Sequence, residues 1–486
     1  MFRTRTRSKR ALTLGSIIAV IGGALTLGAA PAAADGSHHG RGEDHRIGVP
    51  IPTVTGPVTG GKGAPFTIDD ISQLSAFGYV QQEFFIQGTA RAFGKVGTWT
   101  TDGRWTATPT TSAPYKTRIL VRRPADPKRF NGTVFVEWLN VSAGFDAGAD
   151  WGFGREELLR AGYAWVGVSA QFVGVQGSGG IAGIAPLKTS DPVRYASLTH
   201  PGDSYSYDIY SQAGAALRRP QGVDPLGGLH ARRFIAAGES QSAFRMLTYV
   251  DAIHPLAHVY DGFFIHSRFA TGAPLFQGTG GTVPSPTRIR TDLHDPVLQF
   301  QSETDVAQAY TARQPDSRFF RSWEVAGTSH ADLYSVGAAA VSLLGCTVRI
   351  NEGPEHFVLH DAIRDLTRWV ADRDDAPPHS PRIRVDANGN IVRDQFGNAL
   401  GGIRTPPLDV PTATLTGINQ EKNGFCGLFG ETIPFSAATL HALYPTHAVY
   451  VAKFTHAAHE TVERGFLLPV DAKEMTATAA AAPIPS

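Results

Sequence analysis

The sequence predicts a doubly wound α/β fold, in which a mainly parallel sheet of eight strands carries helices on both faces. Three observations lead to this prediction. Short runs rich in β-forming residues alternate with segments of helical periodicity. Two of these runs, 132–140 and 163–171, are continuously apolar, as expected for strands buried on both faces. A helical pattern over 151–162 separates them, which is typical of the strand–helix–strand unit of a parallel sheet.

The other predicted elements continue this alternation along the chain. The first two strands show polar alternation and could pair antiparallel. The later strands are flanked by segments that place apolar and small residues at helical spacing. Parallel sheets carry their working residues at the carboxyl ends of the strands, so the strand exits are the places where a site is expected. The further predicted strands are 83–93, 116–124, 232–238, 258–267, 296–303 and 321–330, and the further helices are 206–219, 242–253 and 357–373.

The N-terminus has the pattern of a secretory signal peptide. A basic segment precedes an uncharged, mostly apolar run from Ala11 to Ala29, and small residues then allow cleavage after Ala34. The alternative is an uncleaved membrane anchor, because the run approaches spanning length. The basic segment holds no Arg-Arg pair, which favours the Sec route. We therefore expect a signal peptide over 1–34 and a secreted or extracytoplasmic protein.

Two further segments have compositions typical of disorder. Residues 35–64 are rich in Gly, Pro and His, and residues 476–486 are low in complexity. The sequence predicts a disordered lead-in and a disordered tail around one catalytic domain over 65–475.

Charge and cysteine content exclude several classes of partner. The chain has 44 basic and 43 acidic residues, a net charge of +1, which argues against a nucleic-acid partner. No later segment is apolar enough to span a bilayer, so we expect no stable membrane insertion after signal cleavage. The two cysteines, Cys346 and Cys426, either form a disulfide in an oxidising compartment or remain separate buried thiols. A cysteine-based metal site is not expected.

A serine at one strand exit is the candidate nucleophile. The motif Gly-x-Ser occurs three times, ending at Ser169, Ser240 and Ser329. Ser169 lies inside an apolar strand, and Ser329 ends the last predicted strand, which leaves no later exit for partner residues. Only Ser240 lies between a strand and an amphipathic helix. A tight strand-to-helix turn needs small residues two positions either side of the serine; Gly238 meets this need and Ser242 nearly does.

The turn resembles the nucleophile elbow of the α/β-hydrolase superfamily, whose other catalytic residues follow in the order acid, then histidine. The resemblance implies an α/β-hydrolase fold. In "SETD" a Gly-x-x-Asp pattern appears with Ser in place of Gly, and it implies Asp305 as the acid, with Glu303 as the possible alternative. His330, just past the final strand, is implied as the base. Three roles at three successive strand exits, in the right order, favour this assignment over chance.

The resemblance also implies an oxyanion hole. One donor is the backbone N–H of Gln241, next to the nucleophile at a helix N-terminus. The second comes from the loop after 132–140, which lacks the HGGG run of many esterases. Among Asn140, Val141 and Ser142, we choose Val141 as the residue whose backbone N–H is the second donor. Two weaker candidates are Glu239, which either makes a structural hydrogen bond or tunes the charge near the site, and His266, which could line the acyl pocket.

The similarity extends beyond these residues to one bacterial, often exported α/β-hydrolase-domain family. It is carried by "FNGTVFVEWLNVSAGFDAGADW", "AAGESQSAFRM", "WEVAGTSHAD" and "NEGPEHFVLHDAIRDLTRWV". Two long stretches, a possible cap over 267–294 and a C-terminal extension over 331–475, could cover the site and select substrate, or only stabilise the sheet.

Together these features favour a secreted serine hydrolase that cleaves a small-molecule carboxylic ester through an acyl-enzyme, with no metal or organic cofactor. An acyltransferase would use the same residues. A non-catalytic exported binding protein with this fold is the alternative from a different class.

Overall fold

Ten strands form one sheet within the residues that the computed structural model describes, which are 47–180, 183–277, 282–419 and 424–485. All eight predicted strands are present, and two very short strands extend the sheet beyond them. The strands are β1 (Thr53–Thr55), β2 (Tyr79–Val96), β3 (Thr106–Pro124), β4 (Thr133–Trp138), β5 (Ala164–Val168), β6 (Gln221–Gly222), β7 (Arg233–Glu239), β8 (Gly262–His266), β9 (Val297–Ser302) and β10 (Phe320–Val325).

The strand order across the sheet is β10-β9-β8-β7-β4-β5-β3-β2-β1-β6. From β10 to β5 every neighbouring pair is parallel. The next three pairs, through β3 and β2 to β1, are antiparallel, and β6 lies parallel to β1. The six strands of the parallel part therefore end at the same side of the sheet, where their exit loops meet.

The parallel strands are buried on both faces. Every residue of β4, β5, β8, β9 and β10 is buried. Because side chains alternate along a strand, Val134 and Val136 pack into one core, while Phe135 packs into the core on the opposite face. This explains why the sequence shows continuous apolar runs at these strands.

Helices cover both faces of the sheet, as the sequence predicts. Residues of α4 and α5 pack into the first core, and residues of α1 and α9 pack into the second. The helices are α1 (Ala149–Arg160), α2 (Phe172–Gln176), α3 (Leu187–Ser190), α4 (Ser206–Arg218), α5 (Gln241–Thr248), α6 (His254–Ala257), α7 (Glu303–Ala309), α8 (Leu333–Leu344), α9 (Glu355–Ala371), α10 (Pro406–Asp409), α11 (Ala437–Leu443), α12 (His447–Glu463) and α13 (Pro469–Ala481).

Both predictions of disorder at the ends of the chain are wrong where the structure describes them. In the segment 35–64, residues 53–55 form β1 and pair with β2; the β-branched "TVT" supplies a short strand despite the surrounding Gly and Pro. In the tail 476–486, α13 continues to Ala481, because alanine favours helix and Ala479 packs against the other C-terminal helices. The signal peptide and residues 35–46 lie outside the described residues.

The two long insertions have different structures. The possible cap, 267–294, contains neither helix nor strand in its described residues, 267–277 and 282–294. It lies along α5: the Ala273 N–H donates to the carbonyl of Phe244 at 2.8 Å, and the Thr248 hydroxyl donates to the carbonyl of Ala273 at 2.6 Å.

In its described residues, the C-terminal extension contains the helices α8 to α13 and a hairpin of β11 (Ala413–Thr416) with β12 (Glu431–Pro434). Cys346, just after α8, forms a disulfide with Cys426, between the two hairpin strands. Of the two alternatives for the cysteines, the structure therefore contains the disulfide. Within the described residues, no helix has both the length and the hydropathy that crossing a bilayer requires.

Candidate active site

Ser240 lies at the turn between β7 and α5, in a strained backbone conformation. Its φ is 56° and its ψ is −116°, a region that residues with a side chain rarely adopt. The turn is tight: a Cβ added at Gly238 would lie 3.0 Å from the carbonyl carbon of Ser242 and 3.1 Å from its Cβ. Glycine at 238 therefore avoids a tight contact with Ser242, whose own small side chain fits at the crossing. This is the geometry expected of an elbow that exposes a serine hydroxyl at the end of a parallel sheet.

The structure brings Ser240, His330 and Asp305 into one hydrogen-bonded chain. The Oγ of Ser240 lies 2.7 Å from Nε2 of His330, and Nδ1 of His330 lies 2.6 Å from Oδ1 of Asp305. Ser240 and His330 are 8% and 4% exposed, so these hydrogen-bonded side chains are largely buried but keep some contact with solvent. A neutral imidazole in this arrangement donates its Nδ1–H to the carboxylate and accepts the serine proton at Nε2.

Three donors hold the second oxygen of Asp305. The backbone N–H and the hydroxyl of Ser302 lie 2.8 and 2.6 Å from Oδ2, and the hydroxyl of Ser267 lies 2.7 Å from it. Burial opposes ionisation, but His330 and these hydroxyls outweigh it and lower the pKa of Asp305 below its ordinary value. Ser302, which stands in place of glycine in the predicted acid motif, thus contacts Asp305 directly. Ser267 is not among the residues predicted from the sequence; its position at the exit of β8 is the signal that points to it.

Glu303, the alternative acid, faces away from His330. Its carboxylate accepts from the Arg393 guanidinium and from the backbone N–H of Gly327, the latter at 3.2 Å. Glu303 and Asp305 both lie in the first turn of α7, and only Asp305 reaches the histidine.

The loop that carries His330 is held by α7 and by the C-terminal extension. The His330 N–H donates to the hydroxyl of Thr304 at 3.2 Å, and that hydroxyl donates to the carbonyl of Gly417 at 2.6 Å. The amide of Asn351 donates to the carbonyl of Gly327 at 3.0 Å. Hydrogen bonds from the C-terminal extension therefore help to fix the loop that carries His330.

Glu239 is buried next to the histidine. Its Oε1 lies 3.4 Å from Nε2 of His330, and its Oε2 accepts from Nδ2 of Asn140 at 3.1 Å. Burial raises the pKa of Glu239 to about 7. For His330, burial favours the neutral ring, but the charges of Asp305 and Glu239 outweigh it and raise the pKa to about 9.

Two backbone N–H groups suit an oxyanion hole. In the loop after β4, the Asn140 N–H donates to the Ala147 carbonyl at 2.9 Å and the Ser142 N–H to Oδ1 of Asn140 at 2.8 Å. The Val141 N–H, between them, donates to no acceptor in the described part of the chain; the same is true of the Gln241 N–H, at the start of α5. The hydrogen bonds of Asn140 to Glu239 bring this loop against the elbow.

His266 is buried below the elbow. Its backbone carbonyl accepts from the Ser240 N–H at 3.0 Å, while its ring lies between Asp150, at 2.9 Å, and Glu355, at 3.2 Å. These two hydrogen bonds outweigh the effect of burial and raise the pKa of His266 well above its ordinary value. The hypothesis that His266 lines an acyl pocket is not supported, because the ring is enclosed by carboxylates and by the side chains of Phe153 and Phe300.

Phenylalanines from two elements lie next to the site. The ring of Phe269, in the possible cap, lies 6.3 Å from the ring of His330 and 6.2 Å from the ring of Phe244, on α5. Both rings are partly exposed. The start of the 267–294 insertion therefore borders the histidine.

One group of side chains in the described residues has the spacing of metal ligands, and it lies elsewhere. His254, His258 and Asp295 place their ligand atoms within 4.8 Å of one another. Asp295 precedes β9, at the opposite end of the sheet from the serine. His254 already hydrogen-bonds Asp295 at 2.8 Å.

The chain also resembles solved structures of esterases at low identity. It is similar to fungal esterases from Rhizomucor miehei, with 11% identity, 64% of this chain and 94% of that chain covered, and a TM-score of 0.31. It is similar to a rice cell wall degrading esterase from Xanthomonas oryzae, with 11% identity, 42% and 48% covered, and a TM-score of 0.23. It is similar to acetyl xylan esterase 1 from Thermoanaerobacterium sp., with 12% identity, 37% and 54% covered, and a TM-score of 0.20.

A comparison with curated protein sequences finds no match. The family comparison, by contrast, matches the model described as "Alpha/beta hydrolase domain" over residues 54–477. This range includes the ten strands except the first residue of β1, and all the site residues described above. The chain therefore belongs to the alpha/beta hydrolase domain family.

Proposed function

We propose that the protein is a serine hydrolase that cleaves carboxylic esters through an acyl-enzyme. The observation that carries the proposal is the continuous hydrogen-bonded chain from Ser240 Oγ through His330 to Asp305, at the carboxyl ends of parallel strands. A serine hydroxyl becomes a good nucleophile only when a base takes its proton and a third group orients that base. The site supplies both.

The reaction follows from this geometry. Ser240 Oγ bonds to the carbonyl carbon of the ester while its proton passes to Nε2 of His330. Asp305 keeps the Nδ1–H and stabilises the imidazolium, and the N–H groups of Gln241 and Val141 donate to the oxyanion. The leaving alcohol takes the proton from Nε2 as the carbon–oxygen bond breaks. Water, activated by the same histidine, then releases the acid and restores the serine.

The substrate we propose is a small ester with an apolar acyl or aryl part. The partly exposed rings of Phe244 and Phe269 beside His330 support this choice, because they offer apolar surface next to the reacting atoms. We further propose that the protein is exported. The pattern of residues 1–34 and the disulfide between Cys346 and Cys426 both support export to an oxidising compartment.

The test is labelling of the purified protein with a fluorophosphonate probe, together with hydrolysis of p-nitrophenyl esters of graded chain length. We expect one label per chain on the wild type. Ser240→Ala should lose the label and all but a residual ester hydrolysis, because the attacking oxygen is gone. Release of free acid in water, compared with transfer to an added alcohol, separates a hydrolase from an acyltransferase.

Ser242→Ala is the matched control. Its hydroxyl is buried two residues from the nucleophile and has no hydrogen-bond partner in the described part of the chain. This variant should keep both the label and the activity. Labelling that persists in Ser240→Ala would exclude Ser240 as the nucleophile, and a wild type that takes no label would favour the non-catalytic binding protein.

A further inference from the structure

Nε2 of His330 faces two oxygen atoms, and only one belongs to the serine. Ser240 Oγ lies at 2.7 Å and Glu239 Oε1 at 3.4 Å. The shorter distance is a hydrogen bond, while the longer one exceeds the usual range for N–H···O bonds. Glu239 therefore makes no hydrogen bond of ordinary length to His330, but its carboxylate is close enough for its charge to act on the ring.

The position of Glu239 is determined by its neighbours. Nδ2 of Asn140 donates to its Oε2 at 3.1 Å and to its backbone carbonyl at 3.2 Å, while Oδ1 of the same Asn140 accepts from the Ser142 N–H at 2.8 Å. One amide side chain thus joins Glu239 to the loop that carries the Val141 N–H. Glu239 is only 5% exposed, so water screens the charge of its carboxylate little.

On the basis of the proposed function, we propose that Glu239 is a positioning residue for the general base. Asn140 holds the Glu239 carboxylate so that it faces Nε2 of His330. There it stabilises the imidazolium that forms when Ser240 gives up its proton. In that step the proton moves from Oγ to Nε2 as Oγ bonds to carbon. The positive ring then lies between two carboxylates, Asp305 at Nδ1 and Glu239 beside Nε2. The proton later leaves Nε2 for the departing alcohol, and Glu239 keeps its own charge throughout.

Charged groups from the neighbouring elements also act on Glu239. The ring of His266, from β8, favours its ionised form, while Asp150, from α1, and Asp305, from α7, oppose it. Glu355, from α9, hydrogen-bonds His266 on the side away from Asp150. Within the described residues, His330 is the one cation that forms an ion pair with Glu239. The charge of Glu239 is therefore directed at the base and is not neutralised by a lysine or arginine there.

The test is the pH dependence of kcat/KM for a p-nitrophenyl ester, compared between the wild type and Glu239→Gln. The acid limb reports the free His330, which must be neutral to accept a proton. A nearby carboxylate raises the pKa of the histidine, so its removal should lower that pKa. We expect the acid limb to move to lower pH by about one unit, and kcat on the plateau to fall with little change in KM. A purely structural role would lower activity at all pH values and leave the limb in place.

Two further variants make the test specific. Glu239→Asp keeps the charge but draws it back by one methylene, so it should shift the limb in the same direction by less. Glu303→Gln is the matched control: it makes the same change of carboxylate to amide at a buried residue that faces Arg393 instead of His330. This control should leave the limb where it is. An unmoved limb in Glu239→Gln, or in Glu239→Asp if the first variant does not fold, would overturn the proposal.

A second readout does not depend on activity. The proton on Nδ1 of His330, in the short hydrogen bond to Asp305, can be followed by NMR as the pH is changed in Ser240→Ala and in the double variant Ser240→Ala/Glu239→Gln. We expect the ring to titrate at lower pH in the double variant. Equal titration would overturn the role of Glu239 alone, whereas a wild type that neither takes the probe nor cleaves esters would overturn the proposed function.

Discussion

Asp305 and Glu303 lie two residues apart in the first turn of α7, yet their carboxylates face different partners. Asp305 hydrogen-bonds His330 at 2.6 Å, whereas Glu303 pairs with Arg393. At this scale the choice of acid depends on which side of one helical turn faces the histidine. Two acidic residues separated by one residue cannot both face it.

Asp305→Asn should lower kcat by about 10³- to 10⁴-fold, because an amide no longer holds Nδ1 protonated and His330 can adopt the tautomer that cannot accept the serine proton. Glu303→Gln should lower kcat by less than about tenfold, since it loses an ion pair and not a contact with the base. Steady-state kinetics on one p-nitrophenyl ester, with circular dichroism to verify folding, measures both. The reverse ranking would exchange the roles of the two acids.

At the scale of the element, the turn from β7 to α5 depends on one close approach. The chain crosses itself so tightly that a Cβ added at Gly238 would lie only 3.0 Å from the carbonyl group of Ser242. The missing second glycine of the motif matters little, since the hydroxyl of Ser242 is accommodated without a partner. The tight contact of the elbow is instead at Gly238, where a side chain would crowd Ser242.

Gly238→Ala should therefore destabilise the protein by about 1–3 kcal/mol, because the new methyl would overlap the carbonyl group of Ser242 and force the elbow to shift. Chemical denaturation measures the change, and the rate of fluorophosphonate labelling should fall with it. Gly152→Ala, within α1, is the control: its nearest neighbour would be the carbonyl of Ser335 at an ordinary 3.6 Å. There alanine should be neutral or stabilising. Equal stability of the two variants would contradict this account of the elbow.

At the scale of the molecule, the C-terminal extension connects the site to the rest of the chain. α8 begins three residues after His330, and the disulfide joins its far end to the loop between β11 and β12. Asn351 contacts Gly327, in the loop that carries His330, and Gly417 contacts Thr304, in α7 beside Asp305. The extension thus supports the site from behind, while the Phe269 end of the 267–294 insertion borders it.

Replacing both cysteines by serine should lower the free energy of unfolding by about 2–4 kcal/mol, since the bridge closes a loop between residues 80 positions apart. Thermal denaturation with and without reductant measures this. Reductant should lower the stability of the wild type to that of the double variant and leave the variant unchanged. A wild type whose unfolding ignores reductant would contradict a stabilising role for the bridge.

The sequence by itself determined the order of strands and helices, because runs buried on both faces need continuous apolar residues and amphipathic helices need a period near 3.6. It also led to Ser240, Asp305 and His330, since a parallel sheet brings its strand exits together and the order of the three residues is visible along the chain. Segments of unusual length or composition escaped this reasoning: β1 has only three residues, and α13 ends in an alanine-rich tail whose composition alone predicts disorder.

Only the tertiary structure decided which groups meet at the site. Ser302 donates to Asp305 within the capping box that starts α7, whereas Ser267, which follows β8, reaches Asp305 because β8 and β9 are neighbours in the sheet. Glu239 stands next to Ser240 in the sequence, but its contact with His330 depends on the distant loop that carries His330 and on Asn140, 99 residues before Glu239. Distances of a few ångströms between remote residues result from packing, and no pattern along the chain encodes them.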